Sequence, residues 1–171
     1  AKDIADYTIL GSTLDDAIGE SYDKVARMLD LDLTHDSGGP SIERLALEGN
    51  SSSHHLTEPL HHHDGCDFSY SGLKTAVRRI VQKPLSRQDQ CDIAASFQKT
   101  AIAHLMTRTE RALLWCALNQ PRVRAVVLCG GVASNQALRQ ELKTLCHAYA
   151  VNMVAPPLEQ CTDNAEMVAW V

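Results

Sequence analysis

A chain of 171 residues, 44% of them hydrophobic, is long enough to bury a core of its own. Lys plus Arg number 16 against 21 Asp plus Glu, a net charge of −5, which argues against a nucleic-acid binder of the basic type but leaves room for a local basic patch. No apolar run reaches the ~18 residues of a membrane-spanning helix, and the charged first residues form neither a signal peptide nor an Arg-rich transit segment.

Leu14, Ala17, Ile18, Val25, Met28 and Leu29 recur at helical spacing and predict a helix over 14–31. Its opposite face would carry Asp16, Glu20 and Asp23. A Gly38-Gly39-Pro40 turn follows, and Ser41 is placed to cap a short helix over 42–48 that stops at Gly49-Asn50. Residues 50–66 form a polar loop with His54, His55 and the run His61 to His63. Alternation over 67–70 predicts a short strand with Phe68 and Tyr70 as core aromatics, and 73–82 reads as a helix. Residues 84–89 look like a linker. The longest helical pattern covers 93–118, with Phe97, Ala101, Ile102, Leu105, Ala112, Leu113 and Cys116 on one face.

Residues 122–158 form a strand–helix–strand unit. Ala125 to Cys129 is apolar without a break and reads as a buried strand; Gly130-Gly131 turns into a helix over 136–149, and a second buried strand spans 151–155. Such a unit predicts two parallel strands with a right-handed crossover. After Pro156-Pro157, Cys161-Thr-Asp-Asn164 opens a last helix. The chain starts at Ala1 and stops inside the apolar run Met167 to Val171, so both ends are expected to continue in a longer protein. The six cysteines form no CxxC pair and are expected as reduced thiols, with Cys116, Cys129 and Cys146 as small core residues.

The strand, paired glycine and helix at 126–139 carry the clearest chemical signal. Glycines after a strand let a ligand approach the backbone, and the next helix start offers N–H groups with a positive dipole end. In a parallel sheet ligands sit at the carboxyl ends of strands, which points to a nucleotide. A tight turn that needs glycine for geometry alone would leave the same pattern. Lys74, Arg78, Arg79 and Lys83 could meet nucleic-acid phosphates or form a solvated face. Asp163 could be a helix N-cap.

Five blocks, in order, resemble one family. Gly11-Ser-Thr-Leu-Asp-Asp-Ala-Ile-Gly-Glu-Ser-Tyr-Asp-Lys-Val-Ala-Arg27 resembles the GxTxDDAxGExFDKxAR block of the tRNA threonylcarbamoyladenosine synthases, once called sialoglycoprotease-like. Asp67-Phe-Ser-Tyr-Ser-Gly-Leu-Lys-Thr75, Ala94-Ala-Ser-Phe-Gln98, Gly130-Gly-Val-Ala-Ser-Asn135 and Cys161-Thr-Asp-Asn164 are similar to four more. The resemblance implies an α/β chain of the actin, hexokinase and heat-shock ATPase (ribonuclease-H-like) fold. The chain would hold mostly the second lobe, with residues 1–171 a partial C-terminal portion and the first lobe missing.

It further implies transfer of a threonylcarbamoyl group from threonylcarbamoyl-AMP to the adenine 3′ of the anticodon in tRNAs reading codons that begin with A. Asp23, Gly39, Glu43 and Asn135 would contact the nucleoside part of that adenylate or of an ATP-like nucleotide. Asp163 would bind one divalent metal ion, iron or zinc, whose His ligands are expected from a missing N-terminal HxxxH block. Ser37 stands where the family has the first Pro of Pro-Gly-Gly-Pro, and 31–37 carries about three extra residues. The His-rich loop looks more like the mitochondrial eukaryotic branch, which implies a homodimer and a mitochondrial compartment, with the cytoplasm as the alternative. A catalytically incomplete fragment serving as a binding or dimerisation module is the competing function. A metallopeptidase finds no HExxH, and a sugar-kinase-like ATPase would not predict the second and fifth blocks.

Overall fold

The structure, a computed structural model, describes residues 7–34, 37–81, 84–120 and 123–161. Helix α1 runs Ile18–Met28 and buries Ser21, Tyr22, Val25 and Ala26. It starts later than the periodicity of 14–31 predicts, because Asp15 and Asp16 are drawn into contacts with residues 69–74 instead of a first helical turn. The predicted acidic face therefore breaks up. Asp16 precedes the helix, exposed Glu20 pairs with Lys24 at 2.7 Å, and Asp23 turns to the next helix.

Helix α2 is Gly38–Glu48, with Ser37 as its N-cap residue. The Gly38-Gly39-Pro40 segment is thus the first turn of a helix, not a turn before one, and Ser41 lies inside it. Pro40 is compatible with a first turn, where a missing N–H has no intrahelical partner to lose. Helix α3 is Ser71–Ile80, burying Leu73 and Val77. The strand expected over 67–70 is reduced to one parallel bridge, Thr13 to Phe68. Tyr70 is buried and Phe68 half-buried, both edge-on to His104 at 5.4 and 6.1 Å.

Helix α4, Arg87–Asn119, begins where a linker was expected. Ser86 and Asp89 form a reciprocal capping box there, with Ser86 Oγ accepting from Asp89 N–H at 3.1 Å and Asp89 Oδ2 accepting from Ser86 N–H at 3.0 Å. The core lies between α1, α2, α3 and the first half of α4: Tyr22, Val25, Leu29, Ile42, Leu45, Leu73, Val77, Ile93 and Phe97 are all buried. Each fully buried large side chain of this kind contributes roughly 1.5–3 kcal/mol.

The 50–66 loop is polar but anchored. Asp92 accepts from Asn50 N–H (2.8 Å) and Ser53 Oγ (3.2 Å), and Ser96 Oγ accepts from His54 N–H (3.3 Å). The fully buried Arg108 guanidinium donates to the carbonyls of Leu60 and His63 (both 2.5 Å), Gly65 (2.9 Å) and Pro59 (3.4 Å). Arg111 also donates to the His63 carbonyl.

Strands β1 (Ala125–Val127) and β2 (Asn152–Val154) pair in parallel, with Val126 opposite Met153. Between them lie a 3₁₀ turn, Gly131–Ser134, and helix α5, Gln136–Ala148. Both strands were expected to be buried. Instead Val127 is 66% and Val154 50% exposed, while Val126 and Met153 are half-buried. Alternation decides this: α5 packs on β2, and a two-stranded sheet covered on one face leaves the other face to solvent. All six cysteines are free thiols, but of the three assigned to the core only Cys146 is buried; Cys116 is half-buried and Cys129 exposed. No helix among the described residues is long and apolar enough to cross a membrane.

Candidate functional site

The start of α1, the first turn of α2 and the turn between β1 and α5 enclose a cavity of about 450 Å³. Asp23, Gly39, Glu43 and Asn135, the four residues assigned to ligand contact from sequence, all line it. They come from three segments separated by up to a hundred-odd positions, so only the fold brings them together. Asp163 lies outside the described residues.

Each polar residue has a defined local task. Asp23 Oδ1 accepts from Gly38 N–H at 2.8 Å and so caps α2. Glu43 Oε1 accepts from Gln136 N–H at 2.6 Å, the first residue of α5. Asn135 Oδ1 accepts from Leu138 N–H at 2.8 Å, while its Nδ2 donates to Gln98 Oε1 at 2.8 Å. The start of α5 is therefore not the open set of donors expected from the sequence, since a carboxylate and a carboxamide already hold it. The start of α1 is different. Its N-cap residue Ala17 offers no capping side chain, and Ala17, Ile18 and Gly19 line the cavity. Uncapped first-turn N–H groups and the dipole end make this the anion-preferring side.

The glycines divide into two kinds. Gly130 has φ +84°, which disfavours other residues on conformational grounds. Gly39 and Gly131 have no such φ, and a Cβ at either would meet nothing within 4 Å. Neither backbone strain nor a protein neighbour calls for glycine at those two positions. Both line the cavity, where a side chain would take up space.

The carboxylates Asp23 and Glu43 accept hydrogen bonds and repel phosphate, which suits sugar hydroxyls. Ile18, Tyr22, Pro40 and Val132 supply apolar wall. The Tyr22 hydroxyl is buried with no hydrogen-bond partner among the described residues, and burial, with Tyr70 and Glu43 nearby, raises its pKa and keeps it protonated. Sequence reasoning did not single out Tyr22, which entered it only as part of the first motif block. Cys129, expected as a small core residue, sits exposed on the cavity wall.

A polar frame holds α1 beside α3. Asp15 accepts from Tyr70 N–H (2.7 Å), Ser71 N–H (3.2 Å) and the Ser69 and Ser71 hydroxyls (2.6 and 2.7 Å). Partial burial alone would raise its carboxyl pKa, but these bonds hold it well below the usual range. Asp16 receives Lys24 (2.7 Å) and Lys74 (2.6 Å), whose hydrogen bonds lower its pKa. Lys74 thus faces Asp16, leaving Arg78 and Arg79 as the exposed part of the basic cluster; Lys83 lies outside the described residues. In the His-rich loop, His61 and His62 pack edge to face at 4.6 Å and His63 Nδ1 accepts from Gly65 N–H at 3.1 Å. Among the described residues no group of three or more His, Cys, Asp or Glu side chains is placed to hold a metal ion.

Residues 1–170 match the model of the tRNA N6-adenosine threonylcarbamoyltransferase family. A probable mitochondrial tRNA N6-adenosine threonylcarbamoyltransferase of Arabidopsis thaliana is 44% identical over 183 residues, covering 99% of this chain and 38% of the relative. The tRNA N6-adenosine threonylcarbamoyltransferases of Gluconobacter oxydans and Brucella anthropi are 47% and 46% identical, with 96% and 99% of this chain and 45% and 47% of the relatives covered. The chain thus spans less than half the length of each of these relatives.

Proposed function

The chain belongs to the tRNA N6-adenosine threonylcarbamoyltransferase family, and on that premise we propose that its cavity binds the nucleoside end of threonylcarbamoyl-AMP in a tRNA-modifying enzyme. The observation that carries this reading is the meeting of Asp23, Gly39, Glu43 and Asn135 on one cavity whose two unconstrained glycines leave room at the backbone. Asp23 and Glu43 accept from ribose hydroxyls. The free N–H groups at the start of α1 and in the Gly130-Gly131 turn face the phosphate. The exocyclic amine of the adenine 3′ of the anticodon attacks the carbamoyl carbon, a C–N bond forms, and AMP leaves with the electron pair of the broken C–O bond.

The fold that accompanies this function is the actin, hexokinase and heat-shock ATPase type, with the remaining cleft wall contributed by sequence that the longer relatives possess. Asp163 is proposed as one ligand of a divalent iron or zinc ion, with His ligands from sequence that the longer relatives possess. A mitochondrial compartment is proposed from the name of the plant relative. A second reading, a binding or dimerisation module without turnover, is favoured by the exposed Val127 and Val154 on the open face of the sheet.

Calorimetric titration with AMP and ATP, followed by turnover with tRNA and threonylcarbamoyl-AMP, tests both. AMP binding that Asp23→Ala and Glu43→Ala weaken supports the cavity assignment. No binding at millimolar nucleotide overturns it, and binding without turnover selects the second reading.

A further inference from the structure

The block Ala94 to Gln98 has no place in the chemistry above, yet it backs the cavity. Phe97 meets the Tyr22 ring edge-on at 5.0 Å, and Tyr22 is cavity wall. Gln98 is 7% exposed and Asn135 5%, and the hydrogen bond between them is 2.8 Å long. Gln98 is not itself part of the cavity lining. It faces a separate groove of about 590 Å³ together with Lys99, Ile102 and Glu141. Its influence on a bound nucleotide has to pass through Asn135.

We infer that Gln98 is a positioning residue for the nucleotide cavity, one that fixes the orientation of the Asn135 carboxamide. This rests on the nucleotide reading given above. A carboxamide has an acceptor end and a donor end of nearly the same shape, so its direction is set only by its partners. Leu138 N–H selects the oxygen on one side and Gln98 Oε1 selects the nitrogen on the other. With Gln98 held as observed, a flip of Asn135 would set donor against donor at Leu138 and acceptor against acceptor at Gln98. In the observed direction the second Nδ2 hydrogen has no partner among the described residues, and it is the donor available to an acceptor on the nucleoside. Without the Gln98 oxygen, Leu138 alone opposes rotation and the donor is no longer held in place.

The test is calorimetric titration of the 171-residue chain with AMP for the wild type, Gln98→Met, Gln98→Glu, Asn135→Ala and the Gln98→Met/Asn135→Ala double variant. Gln98→Met is expected to raise Kd by about five- to tenfold, the usual effect of losing one orienting hydrogen bond. Gln98→Glu keeps an acceptor in the same place and is expected to stay within about threefold of the wild type. In the Asn135→Ala background Gln98→Met should add nothing, because its partner is gone. A general packing role would weaken binding equally in both backgrounds, and that result, or an unchanged Kd for Gln98→Met, overturns the inference. Should Gln98→Met fail to fold, Gln98→Ala makes the same comparison. Failure of the wild type to bind AMP would instead sink the nucleotide reading, and this inference with it.

Discussion

Replacing Gly39 by Ala separates the two reasons a chain can have for a glycine. Gly39 lies in the first turn of α2, its φ is not in the left-handed region, and an added methyl would meet no protein atom within 4 Å. Ala in place of Gly at such a position stabilises a protein by about 0.4–1 kcal/mol, chiefly by restricting the unfolded chain. The same methyl projects into space that the cavity needs, where forced contact costs typically ~1–3 kcal/mol. The expected result of Gly39→Ala is therefore an equal or raised Tm and an AMP Kd about tenfold higher, the factor that corresponds to ~1.4 kcal/mol. Gly131→Ala should behave the same way on binding.

Two neighbours serve as controls. Gly72, in α3 and away from the cavity, also has nothing within 4 Å of a Cβ, so Gly72→Ala should leave Kd unchanged. Gly130, at φ +84°, should lose roughly 1–2 kcal/mol of stability when replaced by Ala. Thermal melts by circular dichroism and calorimetric titration give both quantities on each variant. An unaltered Kd in Gly39→Ala and Gly131→Ala would show that the open space at these two glycines is not used by the nucleotide and refute the reasoning.

Asp15→Asn removes the charged acceptor at the start of α3 and should cost about 1 kcal/mol, as capping losses do, read from urea unfolding at pH 7. Because the Asp15 pKa is lowered on folding, its contribution is complete above the unfolded carboxylate value of about 3.9 and is lost as pH falls below it; the difference between wild type and Asp15→Asn should shrink on that side and nowhere else. His104 is buried, and burial with the nearby Arg108 charge lowers its pKa. Its neutral form is therefore favoured in the fold, so stability should fall as pH drops below the unfolded His value of about 6.5, and His104→Gln, which keeps an acceptor for Ser69 N–H, should flatten that part of the Tm–pH curve. Arg108→Met would leave the carbonyls of Pro59 and Leu60 without their side-chain donor, and those of His63 and Gly65 with Arg111 alone, costing roughly 3 kcal/mol; limited proteolysis should then cut within 59–65 first, and an unchanged digestion pattern would refute the anchoring role.

Several elements could be read in advance and several boundaries could not, for local reasons. Periodicity located α1 and α4 because Val25 and the C-cap residue Leu29 in the one, and Phe97, Ala101, Ile102 and Leu113 in the other, are buried apolar positions at helical spacing. It overran the start of α1 because nothing local to Asp15 and Asp16 says that their partners are Ser69, Ser71 and Lys74, more than fifty residues away. It came late to the start of α4, where Ser86 and Asp89 carried a capping box that the neighbouring Pro84 and polar run disguised as a linker. The strand pair was visible as a strand–helix–strand rhythm, but exposure of Val127 and Val154 follows from what covers the sheet, and no strand encodes that by itself.

By itself the sequence determined the family, through five ordered blocks, and the helices and parallel strand pair, because period and glycine placement are local properties of a chain. Only the tertiary structure decided that Asp23, Gly39, Glu43 and Asn135 face one cavity, that Glu43 and Asn135 hold the start of α5, and that Gln98 stands behind Asn135. The hydrogen bonds of Gln98 to Asn135 and of Glu43 to Gln136 join residues 37 and 93 positions apart, and a hydrogen bond across such a distance exists only after packing has fixed both ends.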